Sequence, residues 1–146
     1  HAMQDLPHLY TVTASAAGSN NVILSSAGVP DIASAGPPEF GGPGGVWSPE
    51  TMLAGSVANC FILSFRAIAR ASKFEWSSLR VDVDGVLDRP ERATYFTAFN
   101  IHAVLDVPEG AKVEMAERLL EKSEKICLIT ASLKSDVALT TEIRVG

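Results

Sequence analysis

The stretch Ser48-Pro49-Glu50-Thr51-Met52-Leu53-Ala54-Gly55-Ser56-Val57-Ala58-Asn59-Cys60-Phe61-Ile62-Leu63-Ser64-Phe65 decides how the rest of the chain must be arranged. Its first residues read as a helix start. A serine hydroxyl can accept an orphan backbone N–H, proline suits the first helical position, and glutamate complements the positive end of the helix dipole. The spacing predicts a helix running to about Ala71. Between Met52 and Ile68, the residues Leu53, Val57, Ala58, Phe61, Ile62, Leu63 and Phe65 point in nearly every direction around its axis. Such a helix is expected to be central and buried on most sides. The uncharged run between Glu50 and Arg66 is shorter than the ~20 apolar residues of a bilayer span and contains Gly55, Ser56, Asn59 and Ser64, so no membrane role is expected.

Working outward, Tyr10, Val12 and Ala14, then Val22 and Leu24, alternate with more polar residues around Gly18-Ser19-Asn20-Asn21, which predicts a hairpin between His8 and Ala27. Gly28 to Trp47 carries Pro30, Pro37, Pro38 and Pro43 with Gly36, Gly41, Gly42, Gly44 and Gly45, the composition of a long loop with room for one short strand. No Lys-Ser/Thr follows these glycines and the dinucleotide spacing is absent, so they are not read as a phosphate cradle. Downstream, Leu79, Val81, Val83 and Leu87 alternate with Arg80, Asp82 and Asp84. A turn at Asp88-Arg89-Pro90-Glu91 leads to a second alternating run, Tyr95 to Ala103. Val113, Ala116, Leu119 and Leu120 line one face of an amphipathic helix, Ile126 to Leu133 reads as a short second helix, and Val137 to Val145 alternates as a closing strand. Strands, helix, strands, helices and strand in that order indicate an α+β fold.

With 146 residues, of which 47% are hydrophobic, the chain suits one domain, expected over residues 4–146, and His1-Ala2-Met3 read as a tag remnant and start. The net charge of −5 and the lack of any basic cluster interleaved with aromatics argue against nucleic acid as a partner. No secretory segment opens the sequence, and a cytoplasmic location is expected. His8 and His102 are isolated, and Asp82, Asp84 and Asp88 lack the glycine and terminal glutamate of a calcium loop, so no metal is expected.

Two cysteines exclude a disulfide-rich scaffold and an all-cysteine zinc site. Cys60 lies within the apolar helix, shielded by hydrocarbon. Cys127 falls between two helical segments, where the N–H groups of a helix start could stabilise a thiolate. Both could be buried structural thiols, or the two could form a redox pair.

The segment from Phe40-Gly41-Gly42 through Trp47 to Cys60-Phe61 resembles the first cysteine motif of the OsmC/Ohr family (osmotically inducible protein C and organic hydroperoxide resistance proteins), Pro-Glu-x-Leu-x-x-(x)-small-Cys. Ala116 through Leu133, with Glu121-Lys122-Ser123-Glu124-Lys125-Ile126-Cys127-Leu128-Ile129, is similar to that family's second motif, a helix ending in Cys-Pro-Ile/Val. The resemblance implies an OsmC-like fold, with antiparallel sheets around a long buried central helix and an interlocked homodimer. It also implies a thiol-dependent peroxidase that reduces organic hydroperoxides to alcohols, with Cys60 attacking the O–O bond and Cys127 resolving the sulfenic acid as a disulfide. An external dithiol, a lipoylated protein in some members, would restore the thiols, with no cofactor. Glu50 would be the site carboxylate. It lies ~15 Å along the helix from Cys60, so it should act on Cys60 of the other subunit. Phe40, Met52, Leu53, Phe61 and Phe65 are the candidate walls of a substrate pocket. Such a pocket would favour alkyl tails by ~0.8 kcal/mol per buried CH₂.

Two departures stand beside the resemblance. No arginine precedes Arg66, although the best-characterised branch activates its thiolate with one in the first hairpin; Arg89 and Arg92 are the remaining candidates. Leu128 stands where the family usually has proline. The missing early arginine also supports an alternative reading: a non-enzymatic module that holds a hydrophobic ligand, its cysteines packing or sensing oxidation.

Overall fold

A computed structural model describes residues 3–146; His1 and Ala2 of the expected tag remnant lie outside the described residues. The chain divides into two compact units, one ending at Met52 and one running from Leu53 to Gly146.

In the first unit, β1 (Thr13–Ser15), β2 (Val22–Ser25) and β3 (Ile32–Ser34) form an antiparallel sheet in that order. The hairpin is where the alternation predicts it, but its first strand starts later, at Thr13, with Tyr10 and Val12 exposed ahead of it. The short strand in the Pro/Gly-rich loop is β3. Beyond it a 3-10 turn, Pro38–Phe40, closes on Gly41 at φ 80°. A Cβ on Gly42 would run into the backbone of Gly36, so this approach requires glycine. The Ala35 N–H then donates to the Trp47 carbonyl at 3.0 Å, fixing the approach to the helix. Ser48 Oγ accepts the Thr51 N–H at 3.1 Å, and Thr51 Oγ1 accepts the Ser48 N–H at 3.0 Å. This reciprocal cap starts α1 (Pro49–Ala71).

The second unit holds most of α1 with β4 (Ser78–Asp88), β5 (Tyr95–Val107), α2 (Val113–Ile126), α3 (Leu128–Ala131) and β6 (Asp136–Val145). The sheet order is β4-β5-β6. β4 and β5 are an antiparallel hairpin, whereas β6 runs parallel to β5, which corrects the expectation of wholly antiparallel sheets. The reason is the connection: α2 and α3 carry the chain back to the end of the sheet where β5 begins, as a parallel neighbour requires. β4 exposes Arg80, Asp82 and Asp84 and turns Leu79, Val81 and Val83 inward. β5, flanked on both edges, buries Phe99, Ile101, Ala103, Leu105 and Val107, and α2 adds Ala116, Leu119 and Leu120 to the same core.

α1 contributes Val57, Phe61, Phe65, Ile68 and Ala69 to that core, a single stripe at helical spacing. The expected burial on most sides is therefore corrected within one chain: Leu63, on another face, is 51% exposed. By length and composition α1 could cross a membrane, its most apolar window having a mean hydropathy of 1.6 with 28% of it buried. The packing of its phenylalanines against β5 and α2 identifies it as a core helix.

Candidate active site

Cys60 lies midway along α1 and is half-buried, whereas Cys127 is only 1% exposed. Cys127 has extended backbone angles, φ −62° and ψ 110°, so it ends α2 and opens α3 at once. Its N–H donates to the Glu124 carbonyl at 3.3 Å, and its own carbonyl accepts the Ala131 N–H at 3.0 Å and the Thr130 hydroxyl at 3.1 Å. The chain makes this break without proline, Leu128 standing 69% exposed at the first position of α3. The break turns the Cys127 sulfur toward amides that no helical carbonyl uses.

The two cysteines, remote in sequence, are both free, and the Cys60 side chain is among the groups that act on the Cys127 thiol. Burial pushes the Cys127 thiol up. Hydrogen bonds from the Thr130 N–H and hydroxyl, the Cys60 thiol and the Ile129 N–H outweigh it and hold Cys127 below the ordinary thiol range. On the other side, Cys60 Sγ lies 3.9 Å from Ser64 Oγ, one helical turn on.

The other expected site residues are more scattered. Glu50 is in the first turn of α1, and its Oε1 is buried with no hydrogen-bond partner among the described residues. Phe61 and Phe65 are fully buried in the core, Phe65 edge-on to Trp76 with ring centroids 5.3 Å apart. Leu53 packs partly against that core. Met52 and Phe40 belong to the first unit, where Phe40 is 66% exposed. Arg89 and Arg92 are exposed in the β4–β5 connection. Among the described residues no group of three or more His, Cys, Asp or Glu could hold a metal ion. Sequence reasoning missed Thr130, a buried hydroxyl against Cys127; the available signal was a threonine three residues beyond a cysteine at a helix start.

Residues 42–142, which include both cysteines, match the model of the OsmC-like protein family. The chain belongs to this family. Among its relatives is the uncharacterized protein YmaD of Bacillus subtilis (strain 168), 28% identical over 112 residues, or 75% of each chain. A solved OsmC-like protein of unknown function from Vibrio cholerae superposes with a TM-score of 0.84 at 14% identity, over 92% of this chain and 99% of that one. The organic hydroperoxide resistance protein OsmC from Legionella pneumophila gives 0.67 at 24% identity, over 94% and 99%. At these identities the two structures share the OsmC fold with this chain.

Proposed function

We propose that this OsmC-like chain is a thiol-dependent reductase of organic hydroperoxides, acting as a homodimer in the cytoplasm. The nearness of Cys60 to Cys127 carries the reading. A structural thiol needs no second sulfur beside it, whereas a peroxidase needs one sulfur open to substrate and another near enough to condense with it. The half-buried Cys60 fits the first role and the buried Cys127 the second.

The Cys60 sulfur attacks as its thiolate and takes the distal oxygen of the peroxide; the O–O bond breaks, and the departing alkoxide is protonated by solvent. Cys127, as a thiolate, attacks the Cys60 sulfenic acid and expels hydroxide, forming the disulfide. An external dithiol, a lipoylated protein being one candidate, reduces it. A buried Glu50 oxygen without a partner among the described residues supports a homodimer in which Glu50 serves the other subunit's site. Of the expected pocket walls, Phe61 and Phe65 are sealed in the core and do not line an entry, whereas the partly buried Leu53 would meet the alkyl group.

The test is consumption of cumene hydroperoxide with dithiothreitol as reductant. Cys60→Ser should abolish turnover, and Cys127→Ser should permit one oxidation before stalling or overoxidising. Turnover indifferent to both substitutions would contradict the reading and favour a binding module.

A further inference from the structure

The peroxidase reading leaves open which sulfur of the oxidised pair the reductant attacks, and the two sulfurs are not equivalent. Cys60 is half-buried, while Cys127 is 1% exposed and enclosed between α2 and α3. A nucleophile must approach a disulfide along the S–S axis from outside, and the sulfur that departs must be able to carry negative charge. Around Cys127 the donors for that charge are in place: the Ile129 and Thr130 N–H groups and the Thr130 hydroxyl. Thr130 is 8% exposed, and its hydroxyl donates to the Cys127 carbonyl at 3.1 Å. That single proton has two acceptors within reach of a rotation about the side chain, the carbonyl oxygen and the sulfur. A disulfide sulfur is a poor acceptor and leaves the proton on the carbonyl. A thiolate sulfur competes for it.

We infer that the external dithiol attacks Cys60 and expels Cys127, with Thr130 as the positioning residue that receives the leaving sulfur. The inference rests on the peroxidase reading for its physiological setting. In the first step a reductant thiolate forms a bond to Cys60 Sγ, the Cys60–Cys127 bond breaks, and its electron pair leaves on Cys127. In the second, the other thiolate of the reductant attacks its own sulfur in the mixed disulfide, closes the reductant's disulfide, and releases the Cys60 thiolate. The dithiol loses two electrons and the protein disulfide gains them. The opening that admits a peroxide to Cys60 then also admits the reductant, so the cycle needs one entrance.

The experiment starts from full-length protein oxidised to the disulfide with diamide, which does not depend on peroxide chemistry. Glutathione is added, the reaction is quenched with acid, and the mixed disulfide is located by peptide mass. It is expected on Cys60; a glutathione adduct on Cys127, or failure of diamide to form the disulfide, overturns the inference. Diamide-formed disulfide with the adduct on Cys60, alongside no oxidation by cumene hydroperoxide, would sink the peroxidase reading and leave this one standing. For Thr130, the rate of disulfide reduction by dithiothreitol is compared in wild type, Thr130→Val and Thr130→Ser. Loss of one hydrogen bond to the leaving thiolate should slow Thr130→Val by about threefold or more. Thr130→Ser should restore most of the rate. In a Cys60→Ser background, the ultraviolet thiolate absorbance of Cys127 should titrate at higher pH with Thr130→Val than with Thr130→Ser. Equal rates and equal titrations in all three would remove Thr130 from the role.

Discussion

The Cys60 side chain, in the middle of α1, lies near enough to Cys127, at the junction of α2 and α3, to help hold its thiol below the ordinary range. One partner is fixed by a helix whose phenylalanines anchor it in the core. The other is fixed by a break between helices that directs amides and a hydroxyl at sulfur. The two halves of this contact have different causes, and they predict different things.

Cys127 is held below the ordinary thiol value of 9.0, against its burial, by hydrogen bonds from Thr130, Cys60 and Ile129. A thiol whose folded value is depressed adds stability that is fully present above the unfolded value and is lost as pH falls through the folded one. With both proteins kept reduced, the advantage of wild type over Cys127→Ser in urea midpoint should therefore widen as pH rises toward 9.0. A difference that stays constant with pH would contradict the assignment.

Leu63 is 51% exposed on α1, and Glu50 has a buried oxygen without a partner among the described residues. Sedimentation of the wild-type protein should give a dimer, and Leu63→Glu should shift it toward monomer with loss of peroxide turnover. Glu50→Gln should leave the dimer intact and lower turnover by roughly ten- to hundredfold, the scale expected when a reacting group loses its positioning partner. A monomer with full activity would remove both expectations.

Gly85 faces inward on β4, where a Cβ would come within 2.9 Å of Phe99 and 3.1 Å of Phe96, whose rings stack at 5.2 Å. Phe99 is fully buried and cannot swing away freely. Gly85→Ala should cost about 1–2 kcal/mol in chemical denaturation, an overpacking cost. An unchanged midpoint would mean that the stacked rings are looser than their geometry suggests.

Ser48 and Thr51 cap α1 reciprocally, so Ser48→Ala should cost about 1 kcal/mol. Equilibrium denaturation would read it, and no loss would mean that the Thr51 hydroxyl compensates by itself.

How much of this was legible beforehand follows from the range of the interactions concerned. The start of α1 could be read because its cap is made by neighbours: Ser48, Pro49 and Glu50 announce it, and only the choice of Thr51 as reciprocal partner was missed. The alternation in β4, β5 and β6 placed each strand correctly, since it records which face each residue buries. It carries no information about direction, and the parallel pairing of β6 with β5 comes instead from the length of helix between them. The apolar circumference of α1 predicts burial on most sides, but in the chain only the stripe of Val57, Phe61, Phe65, Ile68 and Ala69 is buried, and sequence cannot say whether cover for the rest comes from another chain. The family was legible from the two motifs that hold Cys60 and Cys127. Thr130 was not, because its role depends on Cys127 breaking the helix where Leu128 replaces the expected proline.

The central claim is that oxidation passes from one sulfur to the other. Reduced protein treated with stoichiometric cumene hydroperoxide and analysed by intact and peptide mass should lose two hydrogens per chain and yield one linked pair of peptides, joined between Cys60 and Cys127. Recovery of both thiols unmodified, or Cys60 carried to the sulfinic acid while Cys127 stays free, would contradict it.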